Sequence, residues 1–198
     1  MNEEIAYRIG RAYAEYLSPK KVVVGCDIRI SSESLKNALS NGVRDGGGDI
    51  IDIGMVGTEQ VYFATSFLKA DGGIEVTASH NPSDYNGMKL VKKESRPISS
   101  ESGLSEIKML AERNKFLPVN PGKRGALERV SILEDYISHI LSYIDNKIIK
   151  PVKLVMNAGN GAAGPVIDAI ERFFKQSGTP VTLVKINNNP DGCFPNGV

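Results

Sequence analysis

Three side chains lie close enough in the sequence to share chemistry: the hydroxyl of Ser79, the imidazole of His80 and the ammonium of Lys89. They belong to the stretch Gly73-Ile74-Glu75-Val76-Thr77-Ala78-Ser79-His80-Asn81-Pro82, which continues through Asn86-Gly87-Met88-Lys89. Ile74 and Val76 alternate with Glu75 and Thr77 as in a short strand, and a His-Asn-Pro run cannot continue a ladder. The strand is therefore predicted to stop near Ser79, leaving the hydroxyl at a strand tip. In an open α/β sheet such tips form the carboxyl edge, where ligands bind. Pro82 and Asn86-Gly87 then turn the chain back into a second apolar run, residues 88–91, so that Ser79, His80 and Lys89 share one crevice. Taken singly, each residue also has a structural reading: a turn serine, a solvated loop histidine, a lysine on an exposed hairpin.

The string as a whole carries more than its parts. Thr77-Ala78-Ser79-His80-Asn81-Pro82 followed by Asn86-Gly87-Met88-Lys89 resembles the phosphoserine loop of the α-D-phosphohexomutases, the phosphoglucomutase and phosphomannomutase family. The resemblance implies a phosphoryl shuttle. Ser79 carries a phosphoryl group, donates it to a hexose monophosphate to form a bound hexose 1,6-bisphosphate, and recovers a phosphoryl from the other end after the sugar reorients. Such transfer depends chiefly on positioning and on neutralising charge over the transferring oxygens. By resemblance, Lys89 matches the family's loop lysine, with electrostatic stabilisation and proton transfer as its role. His80 joins it as a catalytic residue, and His80 and Asn81 help hold the loop and the phosphate. The implied cofactors are Mg²⁺, with the phosphate on Ser79 as its ligand from this chain, and a hexose 1,6-bisphosphate activator.

These residues have to be positioned by an ordinary globular chain. It has 198 residues, 41% hydrophobic and 24% charged, with a net charge of +1. That balance describes neither a basic nucleic-acid binder nor an acidic disordered chain. No apolar run approaches the roughly 20 residues that span a bilayer. The start, Met1-Asn2-Glu3-Glu4, lacks a basic region followed by an apolar one, so a cytoplasmic location is expected, without membrane or nucleic-acid partners. Cys26 and Cys193 lie far apart with no ligand-like spacing to His80 or His139, which argues against a zinc site or a disulfide framework.

Periodicity predicts a helix over residues 3–17, a fully covered strand over 21–25, a helix over 33–44 stopped by Gly46-Gly47-Gly48, a strand over 49–53, and a helix capped by Thr58. With the strand leading to Ser79 the order is βαβαβ. The expected fold is α/β, a mixed, mainly parallel sheet with helices on both faces. Arg29, just past the first strand, either faces the phosphate crevice as a binding residue or, with Asp27, braces neighbouring loops, while Ser31 or Ser32 caps the helix. A last helix capped by Ser99 or Ser100 closes this unit near Asn114. The Pro- and Gly-containing connector 116–125 marks a boundary between a phosphoserine-bearing domain, 1–124, and a second α/β domain, 125–198. Ser131 to Glu134 reads as a capping box opening a helix that carries His139 as a structural residue.

The second unit contains Gly159-Asn160-Gly161-Ala162-Ala163-Gly164, a G-x-G-x-x-G between a strand and a helix. Dinucleotide binding is thus an alternative, and a noncatalytic binding domain of the same fold is another. Against the first, the next strand runs into Lys185-Ile186-Asn187 and offers no acidic residue for a ribose. The Gly159–Gly164 stretch and Phe194-Pro195-Asn196-Gly197 resemble the second domain of the mutases, most like the bacterial phosphomannomutases. A sugar phosphate, mannose 6-phosphate or mannose 1-phosphate, is the implied substrate. The family's metal-binding, sugar-selecting and phosphate-clamping segments are not in this chain. It is therefore expected to be an N-terminal fragment, inactive alone and able to self-associate through a truncated second sheet.

Overall fold

Val22, Val23 and Val24 are all fully buried, which requires their strand to lie at the centre of a sheet covered on both faces. The protein is described by a computed structural model over residues 1–197. In it β1 (Lys21–Cys26) pairs in parallel with β2 (Asp49–Met55) on one side and β3 (Gly72–Val76) on the other. β4 (Met88–Lys92) runs antiparallel to β3, β5 (Arg96–Pro97) antiparallel to β4, and β6 (Leu127–Arg129) parallel to β2. The order across the sheet is β5-β4-β3-β1-β2-β6. This is the mixed, mainly parallel α/β architecture that the alternating pattern demands.

Strand alternation divides the core. Val22, Val24 and Cys26 point to one face, where they meet Ala6, Ala12 and Tyr13 of α1 (Glu3–Leu17), Leu35, Leu39 and Val43 of α2 (Ser32–Asp45), and Ile107 of α4 (Ser105–Arg113). Val23 points to the other and meets Val61 and Ala64 of α3 (Thr58–Phe67) together with Ile51, Ile53 and Ile132. Asn2 starts α1 by accepting a hydrogen bond from the Ile5 amide at 2.9 Å, and Glu3 and Glu4 in the first turn complement its positive end. α1 and α2 cross backbone to backbone. A methyl group added at Gly10 would fall on the carbonyl oxygen of Leu39, and one at Gly42 on that of Tyr7.

The second unit is smaller. β7 (Val152–Asn157) and β8 (Val181–Ile186) form a parallel pair joined by α6 (Ala163–Ser177). Ala169 and Phe174 of α6 bury against Ile137 and Leu141 of α5 (Leu133–Leu141). β7 has little cover, and Val155 remains 63% exposed.

Four expectations need correction. The first sheet does not end at residue 124, because β6 extends it: the Ile50 amide donates to the Ala126 carbonyl and the Val130 amide to that of Asp52. All three residues of β6 are exposed, so no apolar alternation announced the strand. Thr58 is the first residue of α3 rather than its cap; Gly57 precedes it, its amide donating to Gln60 Oε1 at 3.0 Å. Ser131 likewise caps nothing, since α5 begins at Leu133 behind Ile132, whose burial in the main core fixes the entry of the helix. The helix expected after Ser99 begins as an irregular turn, Ser100–Leu104, in which Gly103 takes φ +127° against the Tyr16 ring, and becomes regular only in α4.

The close crossing of α1 and α2 can be tested. Gly10→Ala gains about 1 kcal/mol in helix propensity, but it drives a methyl into a backbone oxygen at a packed crossing, an overpacking penalty of about 1–3 kcal/mol. The clash should win, giving a lower urea midpoint, whereas an unchanged or higher midpoint would show that the helices separate freely.

Candidate active site

The loop after β3 is built around the Arg29 side chain. It is 2% exposed and spends every N–H it has. Nε donates to Asp27 Oδ2 at 3.0 Å, Nη1 to the carbonyls of Pro82 at 2.5 Å and Tyr85 at 3.2 Å, and Nη2 to those of Ser79 at 2.9 Å and Asn81 at 2.7 Å. The Phe194 ring lies against the guanidinium, with 5.5 Å to its centroid. Of the two roles open to Arg29 in the sequence, this arrangement is the brace. No donor is left over for a phosphate, because four carbonyls of an irregular loop with no ladder of its own require them.

Asp27 links that brace to the serine. It also accepts hydrogen bonds from the Arg29 amide at 3.0 Å, from Ser32 Oγ, and from Thr77 Oγ1 at 2.7 Å. Thr77 Oγ1 in turn accepts the Ser79 amide at 3.0 Å. Across the loop, Asn86 Nδ2 donates to Ser31 Oγ and Ser32 Oγ, both at 2.9 Å. Neither serine makes a capping bond at the start of α2. Both carry the returning loop instead.

Held this way, Ser79 takes φ +56°, in the left-handed region that few non-glycine residues enter. Its amide and carbonyl are fixed and its hydroxyl is exposed. Ser79 Oγ lies 3.4 Å from Nδ1 of the exposed His80. Asn81 contributes through its backbone, its carbonyl to Arg29 and its amide to the Ala78 carbonyl at 3.1 Å, while its side chain points to solvent. Lys89 lies on the neighbouring strand and donates to Thr58 Oγ1 at 3.3 Å, at the start of α3. The structure thus brings Ser79 and His80 into contact and places Lys89 on the adjacent strand, opposite Glu75, with its ammonium on Thr58. His139 is remote, its ring against Phe63 at 4.9 Å between centroids.

Beneath Ser79 lies a cavity of ≈ 250 Å³, lined among others by Thr58, Glu75, Thr77, Gly161 and Phe194. Both units therefore contribute to it. Within the second unit, Gly164 lets the start of α6 lie against the segment after β8: a methyl there would fall on the Asn188 carbonyl oxygen. Asn160 Nδ2 donates to the Asn189 carbonyl at 2.9 Å, and Asn196 Nδ2 to Asn160 Oδ1 at 3.0 Å. Gly164 thus serves close backbone packing, while Gly159 takes φ +57°, a left-handed turn conformation.

Glu75 is the residue that sequence reasoning missed. In the sequence it is only one of the residues alternating with Ile74 and Val76, whereas in the fold β3 is covered on both faces and Glu75 is 1% exposed. Burial pushes its carboxyl well above the ordinary range; Asp27 and Glu59 push the same way, and Lys89 and Lys36 oppose them. The folded protein then holds a proton that the unfolded chain releases above about pH 4.3. Glu75 makes stability fall as pH rises from there until the folded carboxyl itself ionises. Burial likewise pushes the Cys26 thiol up to about 12, making it an inert core residue rather than a nucleophile. Cys193 is exposed, and neither cysteine is in a disulfide.

Replacing Arg29 with Met keeps the apolar stem and removes every donor. Arg29→Met should destabilise the protein by about 3–5 kcal/mol, as expected for a buried charge pair broken on one side. It should also speed hydrogen exchange at the amides of residues 79–86. Unchanged exchange there would show that the loop holds itself.

Comparison with known proteins shows the family to which the fold belongs. Residues 1–118 match the family described as phosphoglucomutase/phosphomannomutase, alpha/beta/alpha domain I. A phosphomannomutase of Salmonella typhimurium is 59% identical over 198 residues, covering 100% of this chain and 43% of that protein. One from Escherichia coli is 56% identical over 199 residues, covering 100% of this chain and 44% of its own length. Among solved structures, a phosphoglucomutase/phosphomannomutase family protein from Burkholderia thailandensis superposes with a TM-score of 0.85 at 33% identity, over 100% of this chain and 43% of the other. The chain spans less than half the length of these relatives, and its matches run from end to end. It belongs to the phosphoglucomutase/phosphomannomutase family.

Proposed function

We propose that this chain is the phosphoserine-bearing part of a phosphomannomutase, which interconverts mannose 6-phosphate and mannose 1-phosphate through a bound hexose 1,6-bisphosphate. The observation that carries the reading is Ser79 itself, an exposed hydroxyl on left-handed backbone whose amide and carbonyl are both held from behind. A carrier needs both properties, since the phosphoryl must be reachable while its attachment point stays fixed. Support for mannose over glucose comes from the relatives named phosphomannomutase.

Within this reading the chain's own residues divide the work. Ser79 Oγ takes the phosphoryl from an oxygen of the bisphosphate, whose P–O bond breaks and which gains the serine proton; in the reverse step a sugar hydroxyl gives up its proton to Ser79 Oγ as it accepts the phosphoryl. His80 Nδ1, next to that oxygen, orients it. Lys89 supplies positive charge near the transferring oxygens, for which its Nζ must leave Thr58 and swing toward Ser79. Asn81 and Arg29 fix the loop, not the substrate. Mg²⁺ is proposed as the cation of the whole protein. Among the described residues no group of three His, Cys, Asp or Glu could hold a metal ion, and a phosphate on Ser79 would be a single ligand to a cation that wants six. The donors of this chain do not complete a site, so no step above runs through the metal. No helix among the described residues is long and apolar enough to cross a membrane, which is compatible with the cytoplasmic location we propose.

Two measurements test the reading. Incubation with a hexose 1,6-bisphosphate should add one phosphoryl mass to the protein and none to Ser79→Ala; equal labelling of both would remove Ser79 as the carrier. Kinetics on the full-length protein should favour mannose phosphates over glucose phosphates, and a kcat/KM ratio of about tenfold or more the other way, about 1.4 kcal/mol, would overturn the substrate assignment.

A further inference from the structure

Acids at and around the main sheet come in two kinds. Asp27, half-buried just past β1, has the partners described above. Asp52 accepts from Lys36 Nζ at 2.9 Å and from the Gly54 amide at 2.9 Å, and faces Arg129 Nε at 3.6 Å. Glu75 is just as buried, yet among the described residues neither of its carboxyl oxygens has a hydrogen-bond partner. A structural acid in a core is normally paired, because a lone one forfeits its hydration for nothing. β1 carries Gly25 opposite Glu75. A methyl at Gly25 would fall on Val56 Cγ2 and stand 2.9 Å from Glu75 Oε2, so the space the glycine leaves is shared by the Val56 side chain and the Glu75 carboxyl.

The register shows what that acid faces. Glu75 on β3 is directly opposite Lys89 on β4. Opposed residues in an antiparallel pair point to the same face with Cβ atoms about 5 Å apart. Glu75 also lines the cavity that Ser79 and Thr58 line. The other titratable groups around it are Asp27 beyond β1, Cys26 on β1, Glu59 on α3 and Lys36 on α2. Lys36 is already engaged by Asp52 and Glu33, both at 2.9 Å. Among the described residues Lys89 Nζ is engaged only by the Thr58 hydroxyl, at 3.3 Å.

Resting on the reading of Ser79 as a phosphoryl carrier, we propose that Glu75 is a positioning residue for Lys89. Its neutral carboxyl leaves the ammonium free to reach the transferring phosphoryl, and its ionised carboxyl captures that ammonium as an ion pair. The crevice is then active while Glu75 holds its proton and is switched down when the proton leaves. Burial and the two neighbouring carboxylates hold that proton in the folded state. A residue that only filled space would have no such effect on Lys89.

The kinetic arm compares the pH dependence of kcat/KM in the full-length protein with that of Glu75→Gln, which resembles the neutral acid at every pH. On the alkaline side the wild type should fall by up to about tenfold per pH unit above the Glu75 midpoint, and Glu75→Gln should lack that limb. Superimposable profiles would overturn the proposal. The second arm needs no turnover. In protein with ¹³C-labelled Glu and Lys, the Lys89 Cε resonance should inflect at the pH where the Glu75 carboxyl titrates, and this inflection should vanish in Glu75→Gln. In Lys89→Met the Glu75 midpoint should move up, because a cation that opposes its protonation is gone. Absence of the shared inflection, or an unmoved midpoint, would sink the coupling. A wild type that turns over no hexose phosphate while this coupling is present would instead refute the mutase reading.

Discussion

The active loop depends on one buried guanidinium. Residues 77–87 leave a strand and return to its neighbour without a ladder of their own, so their carbonyls need donors from elsewhere. Arg29 supplies them from the end of β1, at 2.5 to 3.2 Å to four carbonyls of that loop. Lysine could not do this, having three donors on a point charge instead of a planar fork. The charge is offset by Asp27 at 3.0 Å, and Asp27 reaches on to Thr77 and so to the Ser79 amide. Ser79 is thereby held in a conformation it would not adopt alone.

That brace has a second consequence. Phe194, from the segment after β8, lies over the same guanidinium, and Gly192 comes so near that an added methyl would fall on the Ile28 carbonyl oxygen. The second unit thus rests on the loop that anchors the serine. The contact between the units and the geometry of the site are not independent, and a shift of the Phe194 segment would be felt at Arg29. The cavity that Ser79 lines is also lined by Ala158, Gly161, Ala162 and Ala163, so residues of both units meet at it.

Electrostatics in the sheet follow a consistent logic. Lys36, 2% exposed, is tolerated because Asp52 and Glu33 each meet its ammonium at 2.9 Å. Such a network is a registration device for α2 on β2 more than a source of stability, since desolvation offsets most of its attraction. Glu75 breaks this rule. Unpaired buried acids concentrate at functional sites because folding alone gains nothing from them.

Much of the fold was legible in residue patterns. The covered strand of Val22 to Val24, the helices on either side of it and the strand ending before Ser79 all follow from periodicity and from residues that cannot continue an element. The serine loop was legible for a different reason: a long, specific string in which each residue has a place. What the sequence could not settle was where donors and acids end up. Arg29 fits a phosphate or a backbone equally well in one dimension, and only the folded loop, with four carbonyls converging on one point, decides for the backbone. Glu75 in the sequence simply alternates with Ile74 and Val76, and only the helix packed over that face buries it. β6 has no apolar signature at all, and it exists because β2 offers an open edge. Local periodicity and turn chemistry are written in neighbouring residues, and so the sequence by itself determined the elements and the loop. Partners of buried charges and of strand edges come from distant parts of the chain, and those only the tertiary structure decided.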